Sequence, residues 1–279
     1  MHYYQYKAPD ISISHSFDPQ PLPQNFHLHT HAHAELYCFL QGNVTYHVEG
    51  TAYALQPGDI LLMRPGEAHY AQVDPNQPYE RICMNFDTGI LSSMDPEGQL
   101  LRPFFDRKAG KQNLYREEDG AWEQYLKKMC SLAPLERVNI LANLMLLLQE
   151  LGAASAKAQA AMDPDTMEYR IIRYINKNLE KDLTLQSLCD RFFISRTELC
   201  RRVKGATGVS VGNYIRAKRL LLARQLLAQG QKPTEIFSTC GYRDYSTFFR
   251  AYSSHFGHNP SSGHQFDYAA DPDAHIAIG

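Results

Sequence analysis

Four histidines near the start of the chain have a type and spacing that could bind a ligand. They occupy alternate positions, His27, His29, His31 and His33. A spacing of two places His29 and His31 on one face of a β-strand, where their imidazoles could hold Fe(II), Mn(II), Ni(II) or Zn(II). Without a metal, the same side chains could contact a polar effector or have a structural role alone. We interpret His27 and His33, which continue that face, as solvated or fortuitous.

A repeat in the C-terminal half indicates a second kind of chemistry. The pattern that contains Leu199 and Arg201 returns 49 residues later at Phe248 and Arg250. Each copy reads as a short helix, a tight turn and a second helix whose core-facing residues are four apart, which is typical of a helix-turn-helix. The repeat therefore predicts two DNA-reading units in one chain.

Charge is divided unevenly along the chain. Residues 1–164 contain 12 Lys and Arg against 19 Asp and Glu, whereas residues 165–263 contain 16 against 8. The formal net charge of −2 therefore hides a compact segment of net charge +8. Because phosphate neutralisation supplies most non-specific affinity for nucleic acid, this segment is expected to bind DNA.

Length and composition indicate a folded protein of two domains, since 279 residues suffice at roughly 100 to 200 residues per domain. No apolar run reaches the roughly 18 residues that span a bilayer, and the first residues lack the features of a signal peptide. The cysteines stand too far apart for a zinc knot or a disulfide framework, at positions 38, 83, 130, 189, 200 and 240. We therefore expect a protein of the reducing cytoplasm with no membrane partner.

The apolar pattern changes its period along the chain. Residues 26–87 read as short strands separated by turn residues, which predicts a sandwich or small barrel. Between residues 113 and 151 apolar positions recur at three and four, the helical period. They include a stripe that exceeds what one small barrel would use and that predicts a homodimer, namely Ile140, Leu141, Leu144, Leu148 and Leu151.

The C-terminal hundred residues resemble the paired helix-turn-helix domain of the AraC/XylS family of bacterial transcription regulators. The matching text includes Leu183-Thr184-Leu185, Ile194-Ser195, Ala206-Thr207-Gly208, Tyr214-Ile215, Arg219-Leu220, Cys240-Gly241-Tyr242-Arg243-Asp244, Phe256-Gly257 and Pro260. The sequence departs from the family pattern at Phe193, at Ser253-Ser254 and at Gly263-His264.

This resemblance implies roles for the second helix of each unit. The side chains expected to face the bases are Thr197, Cys200, Arg201, Tyr245, Ser246, Thr247 and Arg250. Arginine pairs bidentately with guanine, so Arg201 and Arg250 are expected to carry most of the discrimination. The side chains expected to contact phosphates, which position the protein without reading sequence, are Arg196, Arg202, Lys204, Lys218 and Arg243.

The segment from residue 26 to 87 resembles the cupin-like effector domain of the same family. His29-Thr30-His31, Glu35 and Gly42 match the first cupin motif. Gly58, Pro65-Gly66 and His69 match the second, with Arg64 in place of the usual proline. The resemblance implies that His29, His31, Glu35 and His69 form either an effector-binding set or the metal-binding set of three histidines and one glutamate.

The predicted fold is α+β, with a cupin-like β-barrel, a helical dimerisation segment and an all-α double helix-turn-helix. The predicted divisions are a barrel over 1–112, dimerisation helices over 113–151, a linker over 152–164, the DNA-binding domain over 165–265 and a flexible tail over 266–279.

The predicted function is a sequence-specific transcription regulator that responds to a small molecule, with a sugar as one candidate. The expected partners are operator DNA, the effector, a second copy of the chain and RNA polymerase, and a divalent metal is the one cofactor considered. The alternatives are a metal-dependent cupin enzyme with a helical DNA-binding tail and a nucleoid-type binder without an effector. A ligand-dependent change in affinity for one operator separates the regulator from both.

Overall fold

Strands make up the first part of the molecule. The computed structural model describes residues 2–117, 120–131, 135–158 and 166–262. The strands in those ranges are β1 (His2–Ala8), β2 (Ile11–Asp18), β3 (Ala34–Gln41), β4 (Val44–Val48), β5 (Thr51–Ala54), β6 (Ile60–Met63), β7 (His69–Val73), β8 (Tyr79–Phe86) and β9 (Leu114–Tyr115).

The strands pair into two antiparallel sheets that face each other. The larger sheet has the order β1-β2-β8-β3-β6-β9, and the smaller has the order β5-β4-β7. Tyr37 and Phe39 of β3 pack against Val44 and Tyr46 of β4 in one apolar cluster between the sheets. The predicted α+β class with an N-terminal β-rich domain is confirmed.

Helices cover the outer face of the larger sheet, and they are α1 (Arg102–Phe105), α2 (Ala121–Met129) and α3 (Glu136–Ala158). Leu36 and Cys38 point to this outer face because side chains alternate along a strand, and both join the helices in a second apolar cluster. Strand β3 is therefore buried on both faces, which explains its almost unbroken run of apolar residues.

The apolar stripe of α3 does not form the free surface that the sequence predicted. Leu141 packs against the second apolar cluster, and the other members of the stripe are completely buried within this one chain, namely Ile140, Leu144, Leu148 and Leu151. The prediction failed because it counted only the inner face of the barrel, whereas the outer face of a six-stranded sheet must be covered too. Among the side chains of α3 that the structure describes, residues 136–154, the large apolar ones that are exposed are Val138 and Leu146.

Helix α3 also extends further than expected. It ends at Ala158, so residues 152–158, assigned by sequence to the linker, are helical. Their high alanine content, which suggested a linker, is equally typical of a helix. Residues 159–164 of the expected linker, the Gly263-His264 pair and the tail over 266–279 lie outside the described residues.

The C-terminal part is helical, with α4 (Met167–Lys177), α5 (Leu185–Phe192), α6 (Arg196–Thr207), α7 (Val211–Ala228), α8 (Pro233–Ile236) and α9 (Tyr245–Phe256). Helices α5 and α6 form one helix-turn-helix, α8 and α9 form the other, and α7 joins them. Leu199 and Phe248, equivalent in the repeat, are both completely buried. Across the described ranges, none of the helices combines the length and apolarity needed to cross a membrane.

The turn of each helix-turn-helix contains a residue with a positive φ, and the two units use different residue types there. Gly241 has a φ of 75°, and a Cβ on it would lie 2.1 Å from the carbonyl oxygen of Leu179, so glycine is required there. Phe193 has a φ of 56°, a left-handed conformation that costs a residue with a side chain about 1 to 2 kcal/mol. Its side chain is 94% exposed, so it tolerates this conformation without a steric clash in the fold.

Candidate effector site and DNA-reading helices

The structure brings His29, His31, Glu35 and His69 together at one end of the space between the sheets. One ligand atom from each lies within 4.8 Å of all the others. The Oε2 atom of Glu35 lies 2.6 Å from Nε2 of His31 and 3.0 Å from Nε2 of His69. The sequence identified all four residues, and the fold places them in one cluster.

Three different segments position these side chains. Glu35 lies on β3 and His69 begins β7. His29 and His31 precede β3 in a segment that is not a regular strand, contrary to the expectation. Its anchor is an isolated bridge in which the backbone of His29 exchanges hydrogen bonds of 3.0 and 2.9 Å with His69.

Each histidine of the cluster is oriented by a backbone carbonyl. The Nδ1 atoms of His29, His31 and His69 lie 2.8, 3.0 and 2.8 Å from the carbonyl oxygens of His27, His33 and Glu67. A carbonyl only accepts, so each Nδ1 donates its proton to it and each Nε2 faces the cluster. Nε2 of His31 and of His69 donates to Glu35 when it is protonated, and a deprotonated Nε2 could bind a metal. Metal-binding histidines show this same arrangement of the second ring nitrogen.

The backbones of His27 and His33 therefore contribute to the site although their side chains lie outside the cluster. The side chain of His27 is exposed and that of His33 is partly buried. Burial lowers the pKa of His33 to about 4, with the neighbouring His31 adding to the effect.

Electrostatics couple the carboxylate to the imidazoles. Burial alone raises the pKa of Glu35, but the charges of His69 and His31 and their hydrogen bonds outweigh it and hold this pKa well below its usual value. The same attraction overcomes burial at His69 and raises its pKa. The site therefore keeps a charged carboxylate among imidazoles in a buried position.

The donor set fits a first-row divalent metal. Three imidazole nitrogens and one carboxylate oxygen are ligands that Fe(II), Mn(II), Ni(II) and Zn(II) accept. Ligands at about 2.0 to 2.2 Å from one ion lie roughly 3 Å apart, close to the distances from Glu35 to His31 and His69.

A buried ion pair that the sequence analysis did not identify holds the turn before His69. Arg107 donates to both carboxylate oxygens of Glu67 at 2.7 and 2.8 Å, and both side chains are nearly inaccessible. Arg64, where the cupin pattern has proline, donates its backbone N–H to the same carboxylate at 3.0 Å. This departure from the motif therefore stabilises the turn.

A cavity of about 350 Å³ opens beside the cluster, between the sheets. His29, Glu35, Arg81 and Lys7 contribute to its wall, together with aromatic, hydroxyl, amide and aliphatic side chains. A volume in this range suits a small organic molecule.

Most of the side chains predicted to read bases lie on the surface of α6 and α9. Tyr245 is partly buried, and the others are exposed: Thr197, Cys200, Arg201, Ser246, Thr247 and Arg250. Arg201 forms a bidentate pair with Glu198 at 2.9 and 2.8 Å. The hydroxyl of Thr247 donates to Asp244 at the start of α9.

The side chains predicted to contact phosphates differ in their surroundings. Arg196 and Lys204 are exposed, and exposed Arg243 pairs with Asp182 at 2.6 Å. Arg202 is partly buried and pairs with Glu168 on α4 and with Glu198.

Lys218 lies in a different environment from the one expected. Its ammonium donates to Glu49 of the barrel at 2.7 Å and to the carbonyl of Gly66 at 2.8 Å, and its side chain is only 11% exposed. A phosphate contact by Lys218 would first require this contact between barrel and helix α7 to open.

Glu49 is the centre of the contact between the barrel and the DNA-binding domain. Besides Lys218, its carboxylate accepts hydrogen bonds from Tyr214 at 2.8 Å, from Asn176 and from the backbone N–H of Ala68 at 2.7 Å. Ala68 directly precedes His69, so one carboxylate connects the histidine cluster to two helices of the DNA-binding domain. No sequence motif marks Glu49, and its role follows from tertiary contacts alone.

Comparisons with known proteins match both halves of the chain. A family model described as the AraC-like ligand binding domain matches residues 22–161, and one described as a helix-turn-helix domain matches residues 188–263. The transcriptional activator RhaS of Citrobacter koseri is 22% identical over 228 residues, which cover 77% of this chain and 80% of RhaS.

A shorter match and a structural one accompany these. The probable transcriptional regulator LumQ of Photobacterium leiognathi is 30% identical over 92 residues, which cover 33% of this chain but only 37% of LumQ. The crystal structure of ToxT from Vibrio cholerae superposes with a TM-score of 0.41 at 12% identity, covering 90% of this chain and 97% of ToxT.

Proposed function

Because the chain belongs to the AraC family of transcription regulators, we propose that a small molecule bound in its barrel controls how its helix-turn-helix domain binds operator DNA. The observation that carries this proposal is the buried bridge through Glu49. It joins the segment that bears His69 to helices α4 and α7, so a ligand that displaces His69 also displaces an anchor of the DNA-binding domain. The matches are to regulators and lend no support to the alternative of a cupin enzyme.

The proposed DNA contacts are those expected from the sequence, with Lys218 dependent on opening of the domain contact. Arg250 is the best candidate for reading bases, since it is exposed on α9 and its Nε donates a long hydrogen bond of 3.4 Å to the backbone carbonyl of Ser246. Arg201 would have to break its ion pair with Glu198 before it could hydrogen-bond to a base.

Arg250→Ala is expected to weaken binding to the operator by about 1 to 3 kcal/mol and to relax preference at one base pair. The operator is first identified by selecting genomic fragments with purified protein, and binding is then measured across all single-base variants. Lys204→Ala is the matched control, expected to weaken every sequence equally and to reduce the salt dependence. An unchanged base preference in Arg250→Ala would remove Arg250 from the base-reading set.

We propose further that His29, His31, Glu35 and His69 hold a divalent metal against which the effector binds. Three observations support this assignment: Nε2 of His31 and of His69 lies on one carboxylate, a ligand atom of His29 lies within 4.8 Å of the others, and a carbonyl holds each Nδ1. A bound metal would supply a positive charge to an effector oxygen. A purely polar pocket made by the same four side chains is the competing interpretation.

Elemental analysis of protein made without a histidine tag is expected to find one metal per chain, lost in His31→Ala. Acidification should release the metal as the imidazoles bind protons. The control is His15→Ala, whose ring pairs with Glu80 in a separate contact and should leave the metal content unchanged. Metal-free protein whose effector response still depends on His31 would establish the polar pocket instead.

A homodimer, an RNA polymerase contact and a cytoplasmic location remain part of the proposal, and family membership supports them. Since the predicted leucine stripe is buried, the exposed side chains Val138 and Leu146 of α3 are the place to test for a second copy of the chain.

A further inference from the structure

The wall of the cavity between the sheets includes a positively charged side chain, that of Arg81, as well as residues of the histidine cluster. Arg81 lies on β8, whose side chains alternate between the two faces of the sheet. Arg81, Tyr79 and Cys83 are on the face that lines the cavity. The guanidinium carbon lies 4.6 Å from the ring centre of Tyr79 and 5.4 Å from that of Phe26. These aromatic faces hold the group in position and attract it weakly.

No carboxylate of the described residues forms an ion pair with Arg81. Its neighbour Glu80 points to the opposite face of the strand, where it pairs with His15 at 2.7 Å. Glu35, the acid in the cavity wall, accepts hydrogen bonds from His31 and His69. A guanidinium keeps its charge at any physiological pH, so Arg81 is a cation in the cavity wall that no carboxylate of the described residues neutralises. Lys7 also lines the cavity, but this lysine is exposed to solvent, whereas Arg81 is partly buried.

Strand register separates this cation from the cluster. Glu35 of β3 pairs with Asn85 of β8, whereas Arg81 pairs with Phe39. Four residues along a strand amount to about 13 Å, which places the guanidinium and the histidines at different ends of the cavity. Tyr37 lies between them on the same face and contacts Tyr79 through a hydroxyl pair 2.7 Å apart.

The rest of the lining suits a molecule with many hydroxyl groups. Ser12, Ser14 and Asn85 contribute hydroxyl and amide groups, and Tyr37 and Tyr46 contribute aromatic faces. Polar groups of this kind fix the orientation of a ligand, while aromatic surfaces supply contact area.

Building on the proposed effector site, we propose that the effector is a sugar acid whose carboxylate forms a bidentate pair with Arg81. Planar guanidinium groups bind carboxylates with two parallel hydrogen bonds. The carboxylate supplies the anion that Arg81 lacks, and the hydroxyl groups extend along the serine and tyrosine side chains towards the histidine cluster. Arg81 is therefore the residue that selects an acid over the corresponding neutral sugar.

The test is calorimetric titration of the full-length protein with pairs of hexuronates and hexoses of the same stereochemistry, such as galacturonate with galactose and glucuronate with glucose. At least one acid is expected to bind about 10- to 100-fold more tightly than its neutral partner, the range that a charge-assisted hydrogen bond provides. Arg81→Gln should remove this preference. Arg102→Gln is the matched control, since Arg102 is an exposed arginine paired with Asp106.

The titrations distinguish failure of the role proposed for Arg81 from failure of the proposed effector site. A neutral sugar that binds as tightly as its acid and alters operator binding would overturn the role of Arg81 while the effector site stands. Failure of every acid to bind would also overturn it. The comparison of acid with neutral sugar uses the unaltered protein, so it decides the question even if Arg81→Gln does not fold.

Discussion

The double substitution Leu144→Arg with Leu148→Arg is expected to unfold the N-terminal domain. Both leucines have no exposed surface and lie in the cluster between α3 and the larger sheet. Each substitution removes a buried leucine, which costs about 2 to 5 kcal/mol even when alanine replaces it, and also introduces an unpaired buried charge. The two lost leucines alone cost about 4 to 10 kcal/mol, which with the buried charges added is comparable to the total stability of a typical domain, about 5 to 15 kcal/mol. The measurement is circular dichroism during urea unfolding, in which the contribution of the N-terminal domain to the signal and to the cooperative transition should be lost.

The matched control is Val138→Arg with Leu146→Arg on the same helix. These side chains are 59% and 49% exposed, so the free energy of unfolding should change by no more than about 0.5 kcal/mol per site. Sedimentation of this folded control then shows whether the exposed face of α3 forms a homodimer. If the double variant Leu144→Arg with Leu148→Arg were instead folded and monomeric, this result would support the dimer interface predicted from sequence.

Glu49→Ala is expected to separate the barrel from the DNA-binding domain. Removing one partner of a buried ion pair costs roughly 3 to 5 kcal/mol because the other charge is left uncompensated, and Glu49 and Lys218 are 2% and 11% exposed. Opening the contact returns the ammonium of Lys218 to solvent and so relieves that cost. Urea unfolding should change from one shared transition to two separate ones, and affinity for the operator without effector should rise as Lys218 becomes available to phosphates.

The control for Glu49 is Glu123→Ala. Glu123 pairs with Lys127 on the surface of α2, and exposed ion pairs of this kind contribute about 0 to 1 kcal/mol. If Glu49→Ala left both the unfolding transition and the operator affinity as they are in the control, the carboxylate would not hold the domains together.

The DNA-binding domain was the part most accessible from sequence. A helix-turn-helix is built from contacts only a few residues apart, so the spacing of residues such as Leu199 and Phe248 specified both units and the face that each second helix exposes. The burial and contacts of individual residues in that domain were still not all predicted. Lys218 lies on α7 with the spacing of a surface residue, yet most of its side chain is covered by the contact with Glu49. No local pattern predicts this contact, because Glu49 is 169 residues away in the chain.

For the barrel, the sequence by itself determined the types of the ligand residues, since His29, His31, Glu35 and His69 match a motif that needs no fold to be recognised. The tertiary structure decided everything that depends on pairing between distant strands: the convergence of those side chains, the cavity, and the position of Arg81 within it. It also decided that Leu144 and Leu148 belong to the core. Hydrophobic periodicity shows that a helix face is apolar, but which surface covers that face depends on how far the sheet extends, and that emerges only once β3 has paired with β6 and β8.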